Sequence, residues 1–375
     1  MSAGPTILLA AGGTGGHLFP AQALALELGN RGYAVELISD ERVSDFASSF
    51  PARAIHQVTS GTVTGGGFIG KVKGVVKLGR GIFECRSLLK RINPAVIVGF
   101  GGYPTVPPIL AATFLRIPAV LHEQNAVMGR ANRFLAGRVG RIATGFDIDK
   151  AGKGFVHVGN PVRANVIAAA KLPMPALSSD GILRLLVFGG SQGARVMGDI
   201  VPPAIDRLPH ELRQRLHITQ QVREEDRARV IADYARMNVQ AECAAFFSDL
   251  PRRMAESHLV IARSGASTVA ELAMIGRASL LVPLPGSLDQ DQAANARVLA
   301  DAGGAEIMMQ PNFTPEALAE RLGEVLRDPQ HLIAIAAKAK AMGIPDAASR
   351  LADVTLSLAG LPLSHSAISG LETRS

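Results

Sequence analysis

Residues 6–28 read TILLAAGGTGGHLFPAQALALEL, and this stretch decides the fold class. It opens with the short apolar run Thr6–Ala10, passes through the glycine-rich segment Gly12–His17 and continues as the Ala- and Leu-rich segment Ala21–Leu28. Such a run followed by glycines is typical of a buried strand, whereas Ala, Leu and Glu favour a helix. Strand, glycine turn and helix in this order form the first half of a βαβ unit. The chain is therefore predicted to be α/β with parallel strands.

The same alternation continues along the chain and restarts near its middle. Further apolar runs of strand length occur at residues 35–38, 95–99, 119–122, 183–188, 259–262 and 279–282. The run at 183–188 leads into another glycine-rich segment, Gly189–Arg195. It is preceded by the segment Lys171–Gly181, which contains Pro, Ser and Gly. We predict a first domain at 1–165, a linker at 166–182, a second domain at 183–345, and a C-terminal helix and tail at 346–375 that pack back on the first domain.

Composition limits the class of protein and its partners. With 375 residues, 47% of them hydrophobic, the chain is long enough for two cores, and Cys85 and Cys243 match no disulfide or zinc spacing. The sequence shows no signal peptide and no apolar run of about 20 residues, so we expect a cytoplasmic protein that does not span a membrane. The net charge of +7 favours polyanionic partners. Nucleic acid ranks lowest among them, because aromatic residues are few and no nucleic-acid-binding motif is present.

Three glycine clusters follow predicted strands: Gly12–His17, Gly99–Tyr103 and Gly189–Arg195. Glycine lets the backbone approach a ligand closely, and the next helix directs free N–H groups at the same place, which suits a phosphate. A tight turn into a helix also needs glycine for steric reasons alone, so each cluster has two interpretations. The first cluster lacks the dinucleotide pattern G-x-G-x-x-G, because Leu18 occupies its third position, and it is not a P-loop. Both absences argue against NAD-dependent oxidoreductases and nucleoside triphosphatases.

Five motifs together resemble those of the MurG family of bacterial N-acetylglucosaminyltransferases, in the same order and over nearly the whole chain. They are Gly12–His17, His122–Asn125, Gly159–Arg163, Gly189–Arg195 and Arg263–Ala266 with Glu271. The resemblance implies a GT-B architecture, in which two Rossmann-like domains with parallel sheets face each other across a cleft. It also implies inverting transfer of GlcNAc from UDP-GlcNAc to the C4 hydroxyl of MurNAc in undecaprenyl-diphosphoryl-MurNAc-pentapeptide (lipid I), giving lipid II for peptidoglycan synthesis. The C-terminal domain would bind the donor and the N-terminal domain the acceptor and the membrane.

The resemblance also assigns donor contacts. Ser191 would bind the donor phosphate, although serine is a common helix N-cap. Glu271 would accept hydrogen bonds from the ribose, although Thr268–Glu271 also fits a capping box. Arg163 and Phe247 would surround the uracil, Phe247 through its backbone, although an arginine here can equally be a solvated charge. The implied donor set is Thr14, Gly15, Gly16, Asn125, Arg163, Ser191, Phe247, Ala266, Ser267, Thr268, Val269, Ala270, Glu271 and Gln292.

Other assignments have open alternatives. If this chain has one inserted residue relative to the family, Gln292 is the glutamine that would contact the donor sugar. Gln290 is the alternative. Asn125 is either a donor contact or a turn residue at a strand end. His17 is either the catalytic base or acceptor-positioning residue, which a helix N-terminus keeps neutral, or a loop residue with no role in proton transfer. The residues implied for the acceptor diphosphate are Gly101, Gly102 and Tyr103.

We predict no metal site and no bound cofactor, with UDP-GlcNAc as the donor substrate. The pairs Asp147 with Asp149 and Asp289 with Asp291 have the D-x-D spacing of a metal motif found in another glycosyltransferase fold. Such pairs are frequent by chance. A GT-B site can stabilise the leaving diphosphate with helix dipoles and side chains instead.

The segment Phe68–Arg91 combines many basic and apolar residues with one acidic residue, Glu84. At 100° per residue, its apolar side chains through Phe83 fall on one helical face and the basic ones on the other, as in interfacial helices. Because four glycines weaken this helix, we attribute the apolar face to packing in the domain core. The basic excess predicts contact with an anionic membrane surface, on the cytoplasmic face of the bacterial cell membrane, through Lys71, Lys73, Lys77 and Arg80.

Two other classes of function are consistent with these features. A UDP-sugar 2-epimerase shares the fold but has no lipid acceptor, so acceptor-dependent release of UDP separates it from a transferase. A non-enzymatic subunit could lend one domain to a partner, but both half-sites lie in one chain. The partners expected of the transferase are UDP-GlcNAc, lipid I, the anionic membrane surface and cell-wall synthesis proteins, with no nucleic acid.

Overall fold

The computed structural model describes residues 4–12, 15–41, 50–58, 67–148, 152, 154–178, 180–190, 193–287 and 290–364, without the side chains of residues 67–73 and 75. The chain forms two compact units. The first consists of Met1–Gln124, Met128–Pro161 and Asp346–Ser375, and the second of Asn125–Val127 and Val162–Pro345. The division between Pro161 and Val162 lies shortly before the predicted linker at 166–182.

Among the described residues, each unit contains one parallel β-sheet. The order is β3-β2-β1-β4-β5-β6-β7 in the first and β10-β9-β8-β11-β12-β13 in the second. Both orders place the first strand of each unit near the centre, as in doubly wound nucleotide-binding folds. The strands are β1 Thr6–Ala10, β2 Ala34–Ser39, β3 Ala54–Gln57, β4 Val96–Gly99, β5 Ala119–Glu123, β6 Arg141–Thr144, β7 Phe155–His157, β8 Leu183–Phe188, β9 Leu216–Gln221, β10 Gln240–Ala244, β11 Leu259–Ala262, β12 Ala278–Leu281 and β13 Glu306–Ile307.

Helices cover both faces of each sheet, so the central strands are apolar along their whole length. In β1, for example, every residue from Ile7 to Ala10 is fully buried. The predicted α/β class with parallel strands is confirmed. The helices are α1 Gly15–Asn30, α2 Gly67–Ile92, α3 Val106–Leu115, α4 Arg130–Leu135, α5 Ala164–Ala169, α6 Arg195–Asp206, α7 His210–Arg213, α8 Glu224–Arg236, α9 Leu250–Glu256, α10 Ala266–Ile275, α11 Asp291–Asp301, α12 Pro315–Arg327, α13 Pro329–Ala341 and α14 Ala347–Leu358.

Helix α14 packs in the first unit, although it follows the whole second unit in sequence. Leu351 and Leu356 are fully buried in the core that includes Leu9, Leu24 and Leu37. A buried Leu contributes about 2 kcal/mol through removal of its apolar surface from water. The core of the first unit is therefore completed by the last helix that the structure describes.

Within the described part of the chain, no helix is both long enough and apolar enough to cross a membrane.

Candidate functional site

His17 lies in the first turn of α1, and its imidazole contacts the end of β5. Its Nδ1 lies 3.2 Å from Oε1 of Gln124. Nε2 of Gln124 lies 3.0 Å from Nδ1 of His122 and 2.9 Å from the backbone oxygen of the same residue. Nε2 of His122 lies 3.2 Å from the backbone oxygen of Gly159. All four residues belong to the first unit, so a single series of hydrogen bonds joins His17 to the segment that follows β7.

His122 is the buried centre of this series. Burial lowers the pKa of its imidazole from 6.5 to about 4; the hydrogen bond to Gly159 opposes the shift, and the nearby His17 adds to it. The ring of Phe100 packs against it with 5.6 Å between ring centroids. His122 is therefore neutral above about pH 4, with one nitrogen that donates and one that accepts.

The second glycine cluster lies beside the imidazole of His17. Gly101 and Gly102 have φ angles of +82° and +75°, a backbone region that favours glycine. A Cβ on Gly102 would lie 3.2 Å from Nε2 of His17. The hydroxyl of Thr105 donates to the carbonyl oxygen of Gly101 at 2.6 Å and fixes this turn, in which Tyr103 is half-buried. The structure thus brings together His17 and the residues predicted to bind the acceptor diphosphate.

Two buried polar residues next to this turn were not predicted. Oε2 of Glu123 accepts from the backbone N–H of Gly129 at 2.9 Å and from Nδ2 of Asn132 at 2.8 Å. Oδ1 of Asn132 is buried and has no hydrogen-bond partner among the described residues. A Cβ on Gly101 would lie 3.2 Å from Nδ2 of Asn132, so a side chain at position 101 would crowd the Asn132 amide. Glu123 could have been found from its place in the His122–Asn125 motif, but Asn132 has no such signal.

In the second unit, Glu271 of α10 pairs with Arg163, which lies just before α5. Nη2 of Arg163 donates to Oε1 of Glu271 at 3.2 Å. Burial raises the pKa of the Glu271 carboxyl, and the Arg163 guanidinium opposes the rise. The capping-box alternative for Thr268–Glu271 is wrong, because α10 begins after its N-cap Gly265 and Thr268 lies inside the helix.

The first turn of α10 carries the other residues predicted to line the nucleotide. Ala266 and Val269 are buried, and Thr268 and Ala270 are half-buried. Oγ of Ser267 is buried and has no hydrogen-bond partner among the described residues. Buried polar atoms are almost always satisfied, and a helix N-terminus attracts anions, so this turn can accommodate a polar anionic ligand.

Asn295 of α11 is fully buried and joins three segments of the second unit, yet it was not predicted. Its Oδ1 accepts from the backbone N–H of Ala126 at 2.8 Å. Its Nδ2 donates to Oδ1 of Asn125 at 3.0 Å and to the backbone oxygen of Ser264 at 3.3 Å. Asn125, expected on the first domain, therefore packs with the second unit. A signal existed in the sequence, since Asn295 follows Gln292 by three residues and shares its helical face.

Gln292 lies in the same cluster. Its Oε1 accepts from the backbone N–H of Leu284 at 3.0 Å, and its backbone oxygen accepts from the hydroxyl of Ser264 at 2.8 Å. Gln290 is the exposed N-cap of α11, with a φ of +55°. Of the two glutamines considered for the donor sugar, Gln292 is the one held against Ser264.

The third glycine cluster precedes α6, and its described residues bring Gly189 close to Ala194. The backbone N–H of Gly189 donates to the buried Oε1 of Gln221 at 3.2 Å, and a Cβ on Gly189 would lie 2.2 Å from the backbone nitrogen of Ala194. Only glycine fits there. The N-cap of α6 is Ala194. Two predicted donor contacts, Ser191 in this cluster and Thr14 in the first, lie outside the described residues; Gly15 and Gly16 open α1.

Phe247 lies in the loop after β10 in the second unit. Its side chain is buried, and the Arg253 guanidinium lies 4.3 Å from the ring centroid. The side chain is thus committed to packing, which leaves the backbone for the ligand contact predicted for this residue.

No group of three or more His, Cys, Asp or Glu side chains gathers to hold a metal ion in the part of the chain that the structure describes. Asp149 and Asp289, one member of each D-x-D pair, lie outside that part. The absence of a metal stays a prediction.

Helix α2 is continuous despite its glycines, and the assignment of its apolar face to the core holds only for Ile82, which packs there, and not for Val76 and Phe83. The side chains of the other apolar members, Phe68, Ile69, Val72 and Val75, lie outside the described residues. Val76 and Phe83 are 65% and 76% exposed. Gly74, Cys85 and Leu89 form the buried side instead, because their positions lie on the opposite side of the helix, where α2 packs on α3. The predicted membrane residues Lys77 and Arg80 are exposed, and Arg80 donates to Glu84 at 2.8 Å. The side chains of Lys71 and Lys73 lie outside the description.

Comparison with known proteins places both units in one family. Residues 7–144 match the glycosyltransferase family 28 N-terminal domain, and residues 184–351 match the glycosyltransferase family 28 C-terminal domain. A relative from Methylobacterium radiotolerans, named UDP-N-acetylglucosamine--N-acetylmuramyl-(pentapeptide) pyrophosphoryl-undecaprenol N-acetylglucosamine transferase, is 57% identical over 361 residues, which are 95% of this chain and 98% of the relative. A relative of the same name from Rhodopseudomonas palustris is 54% identical over 360 residues, 94% of this chain and 98% of the relative.

Among solved structures, that of Acinetobacter baumannii MurG is 30% identical, with a TM-score of 0.78, and the match covers 94% of this chain and 99% of that one. The two units and their parallel sheets therefore form the GT-B-like fold of these enzymes. Both the sequence identity and the structural match extend over nearly the entire chain. The protein belongs to glycosyltransferase family 28 and, within it, to the MurG family of N-acetylglucosaminyltransferases.

Proposed function

We propose that this chain transfers GlcNAc from UDP-GlcNAc to the C4 hydroxyl of MurNAc in lipid I, and so forms lipid II. The observation that carries the proposal is the 57% identity, over 95% of the chain, to a relative whose name specifies this donor and this acceptor. Both units take part in that match. No bound metal is required for the steps below.

The donor is assigned to the second unit. Helix α10 begins directly after Gly265, and α6 begins after Ala194, which follows Gly193. The first N–H groups of both helices are assigned to the diphosphate that leaves. The ribose is assigned to Glu271, whose carboxylate is oriented by Arg163 at 3.2 Å. The sugar is assigned to the cluster of Gln292, Asn295 and Asn125, which presents amide groups at the start of α11.

The acceptor diphosphate is assigned to Gly101–Tyr103 of the first unit, with His17 as the base. The oxygen of the acceptor hydroxyl forms a bond to the anomeric carbon of GlcNAc, while the bond from that carbon to the phosphate oxygen breaks and UDP takes the electron pair. The hydroxyl proton passes to Nε2 of His17. The absent side chain of Gly102 supports this assignment, because a Cβ there would lie 3.2 Å from Nε2 of His17 and the base is therefore beside the acceptor loop.

Contact with the membrane is assigned to the first unit. Val76 and Phe83 of α2, Phe114 of α3 and Phe134 of α4 are between 49% and 76% exposed. These three helices pack in succession, and exposed Lys77 and Arg80 lie among the apolar residues of α2. Exposed aromatic residues with neighbouring basic residues suit the interface of an anionic bilayer, where a lipid-linked acceptor is found.

The proposal is tested by measuring UDP release and formation of the disaccharide-lipid product, with the full chain, UDP-GlcNAc and a lipid I analogue. We expect UDP release only when the acceptor is present. In His17→Gln, kcat should fall by about 10²-fold to 10⁴-fold, the usual range for loss of a general base, with little change in KM for the donor. The matched control is His157→Gln, at an exposed position of the same unit.

Release of UDP without any acceptor would contradict the transferase and favour an epimerase or hydrolase. If the His17→Gln enzyme is as active as the His157→Gln control, His17 is not the base. The assignment of the chain as a transferase would be unaffected.

A further inference from the structure

The orientation of the Gln124 amide is dictated by a backbone oxygen. The amide nitrogen of Gln124 lies 2.9 Å from the backbone oxygen of His122. A carbonyl oxygen can only accept a hydrogen bond, so the atom that faces it must be the NH2 group of the amide. The flipped amide would set two oxygens against each other at this distance. Oε1 of Gln124 is therefore the atom that faces His17.

A second backbone oxygen selects the tautomer of His122. The carbonyl oxygen of Gly159 lies 3.2 Å from Nε2 of His122, which must therefore carry the proton of the neutral ring. This leaves the lone pair on Nδ1, where it accepts the second N–H of the Gln124 amide at 3.0 Å. The two carbonyl groups thus require the same arrangement of Gln124 and His122.

We propose that the carbonyl oxygens of Gly159 and His122, acting through His122 and Gln124, set the tautomer of His17 that takes part in sugar transfer. Because Oε1 of Gln124 can only accept, Nδ1 of His17 carries the proton of the neutral imidazole and Nε2 carries the lone pair. The inference rests on the proposed function, in which Nε2 accepts the proton of the acceptor hydroxyl. Gln124 and His122 are positioning residues, since they act through His17.

The same arrangement serves the ring after it has taken the proton. The imidazolium keeps its Nδ1–H directed at Oε1 of Gln124, so the hydrogen bond becomes charge-assisted and stronger without any change in partners. Burial lowers the pKa of His122 to about 4, so this residue stays neutral and keeps its donor and acceptor in place across the pH range of the reaction. A neutral amide does not hold the proton on His17 as firmly as a carboxylate would, which favours its release after each turnover.

The tautomer is measured directly by NMR of the full-length protein labelled with ¹⁵N-histidine. The chain has 9 histidines, and the His17→Gln spectrum identifies the signals of His17. At a pH where the imidazole is neutral, long-range correlations between ring protons and nitrogens distinguish an Nδ1–H from an Nε2–H tautomer. We expect the Nδ1–H pattern for His17 and the Nε2–H pattern for His122.

Three variants connect the tautomer to turnover. Gln124→Leu removes the acceptor that faces Nδ1, so we expect loss of the pure Nδ1–H pattern and a fall in kcat of about 10²-fold, with KM for the donor unchanged. His122→Phe keeps a flat aromatic ring but leaves Gln124 held by one backbone oxygen, so a smaller fall in kcat is expected. Gln124→Glu keeps an acceptor for Nδ1 of His17 and adds a negative charge, so the Nδ1–H pattern should persist while the acidic limb of the kcat profile moves to higher pH, by about one unit. This variant also sets an oxygen against the backbone oxygen of His122, so its thermal stability should fall.

The control is Gln220→Leu in the second unit. Gln220 is also a buried amide, which donates to the backbone oxygen of Met197 at 3.1 Å and accepts from the Tyr234 hydroxyl. Its loss should lower thermal stability without changing the tautomer of His17 or the pH profile. A merely structural role for Gln124 would produce the same result as this control.

An Nε2–H pattern for His17 in the wild-type protein, or an Nδ1–H pattern that survives in Gln124→Leu, overturns the inference. So does a Gln124→Leu enzyme whose tautomer changes but whose kcat does not. If His17 has the Nδ1–H pattern and the variants alter it, but the wild-type protein transfers no GlcNAc to the lipid I analogue, the proposed function fails and the hydrogen-bond series stands.

Discussion

Several buried polar side chains of this protein are held by backbone carbonyl oxygens rather than by opposite charges. His122 donates to Gly159, the Asn295 amide to Ser264, and the Arg277 guanidinium to Ala255 at the end of α9. A carbonyl oxygen can only accept, so the contacts of His122 and Asn295 fix which atom of the side chain carries the hydrogen, whereas a guanidinium donates from every nitrogen. At the residue scale, the backbone thereby determines the chemical state of the candidate site.

The neutral state of buried His122 makes stability depend on pH. The unfolded imidazole has its ordinary pKa of 6.5, whereas burial lowers the pKa of the folded one to about 4. Between these values the unfolded chain binds more protons, so the stabilisation is complete above about pH 6.5 and is lost as pH falls through about 4. The pKa difference corresponds to about 3 kcal/mol.

We therefore expect the free energy of unfolding of the first unit to fall more steeply between pH 7 and pH 4.5 in the wild-type protein than in His122→Phe. The measurement is urea unfolding at a series of pH values. The control is His157→Phe, at an exposed position, which should keep the wild-type slope. If the free energy of unfolding of the wild-type protein and of His122→Phe depends on pH in the same way, buried His122 is not the source of the pH dependence.

At the element scale, α2 shows where sequence patterns stop being informative. The basic and apolar residues between Phe68 and Arg91 predicted a helix, and residues 67–92 form one. The pattern did not predict which face is buried, because apolar side chains occur around the helix and the buried side includes Gly74, which has no side chain to mark it. The partner of α2 decides this, since close packing on α3 needs small residues at the contact.

The exposed apolar side chains of α2 lead to a prediction on membrane binding. Replacing Val76 and Phe83 together by Ser should reduce binding to vesicles that contain anionic lipid by about 10-fold or more, because each buried CH2 group contributes about 0.8 kcal/mol. Reversing Lys77 and Arg80 to Glu should reduce binding mainly at low salt, since such contributions are screened.

Co-sedimentation with vesicles measures both effects. Ile231→Ser is the control, because Ile231 is an exposed apolar residue of α8 in the second unit and its loss should leave binding unchanged. If the double variant at Val76 and Phe83 binds vesicles as well as the Ile231→Ser control does, α2 is excluded from the membrane contact.

At the scale of the whole molecule, the sequence predicted the strands and turns that leave a local pattern. It did not predict contacts between different segments of the chain. The parallel strands and the glycine turns were predictable, because each leaves a local pattern of apolar residues and glycines. The position of Asn132 was not, because it reaches across a loop to Glu123, 9 residues earlier. The position of Asn295 was not either, because it bonds to Ala126, in a segment 169 residues away. The placement of Asn125 in the second unit has the same cause, because it depends on the contact with Asn295 rather than on its neighbours in sequence.

The division into two units predicts two separable responses in calorimetry. UDP at about 100 times its Kd should stabilise the unit that binds it by about 2.7 kcal/mol, and we expect this in the transition of the second unit. Leu351→Ala, in the core of the first unit, should cost about 2–5 kcal/mol and lower the other transition. The exposed neighbouring change Ser357→Ala should leave both transitions in place. If UDP raises the same transition that Leu351→Ala lowers, the donor is bound by the first unit, and the assignment of Glu271, Arg163 and Gln292 to the donor is wrong.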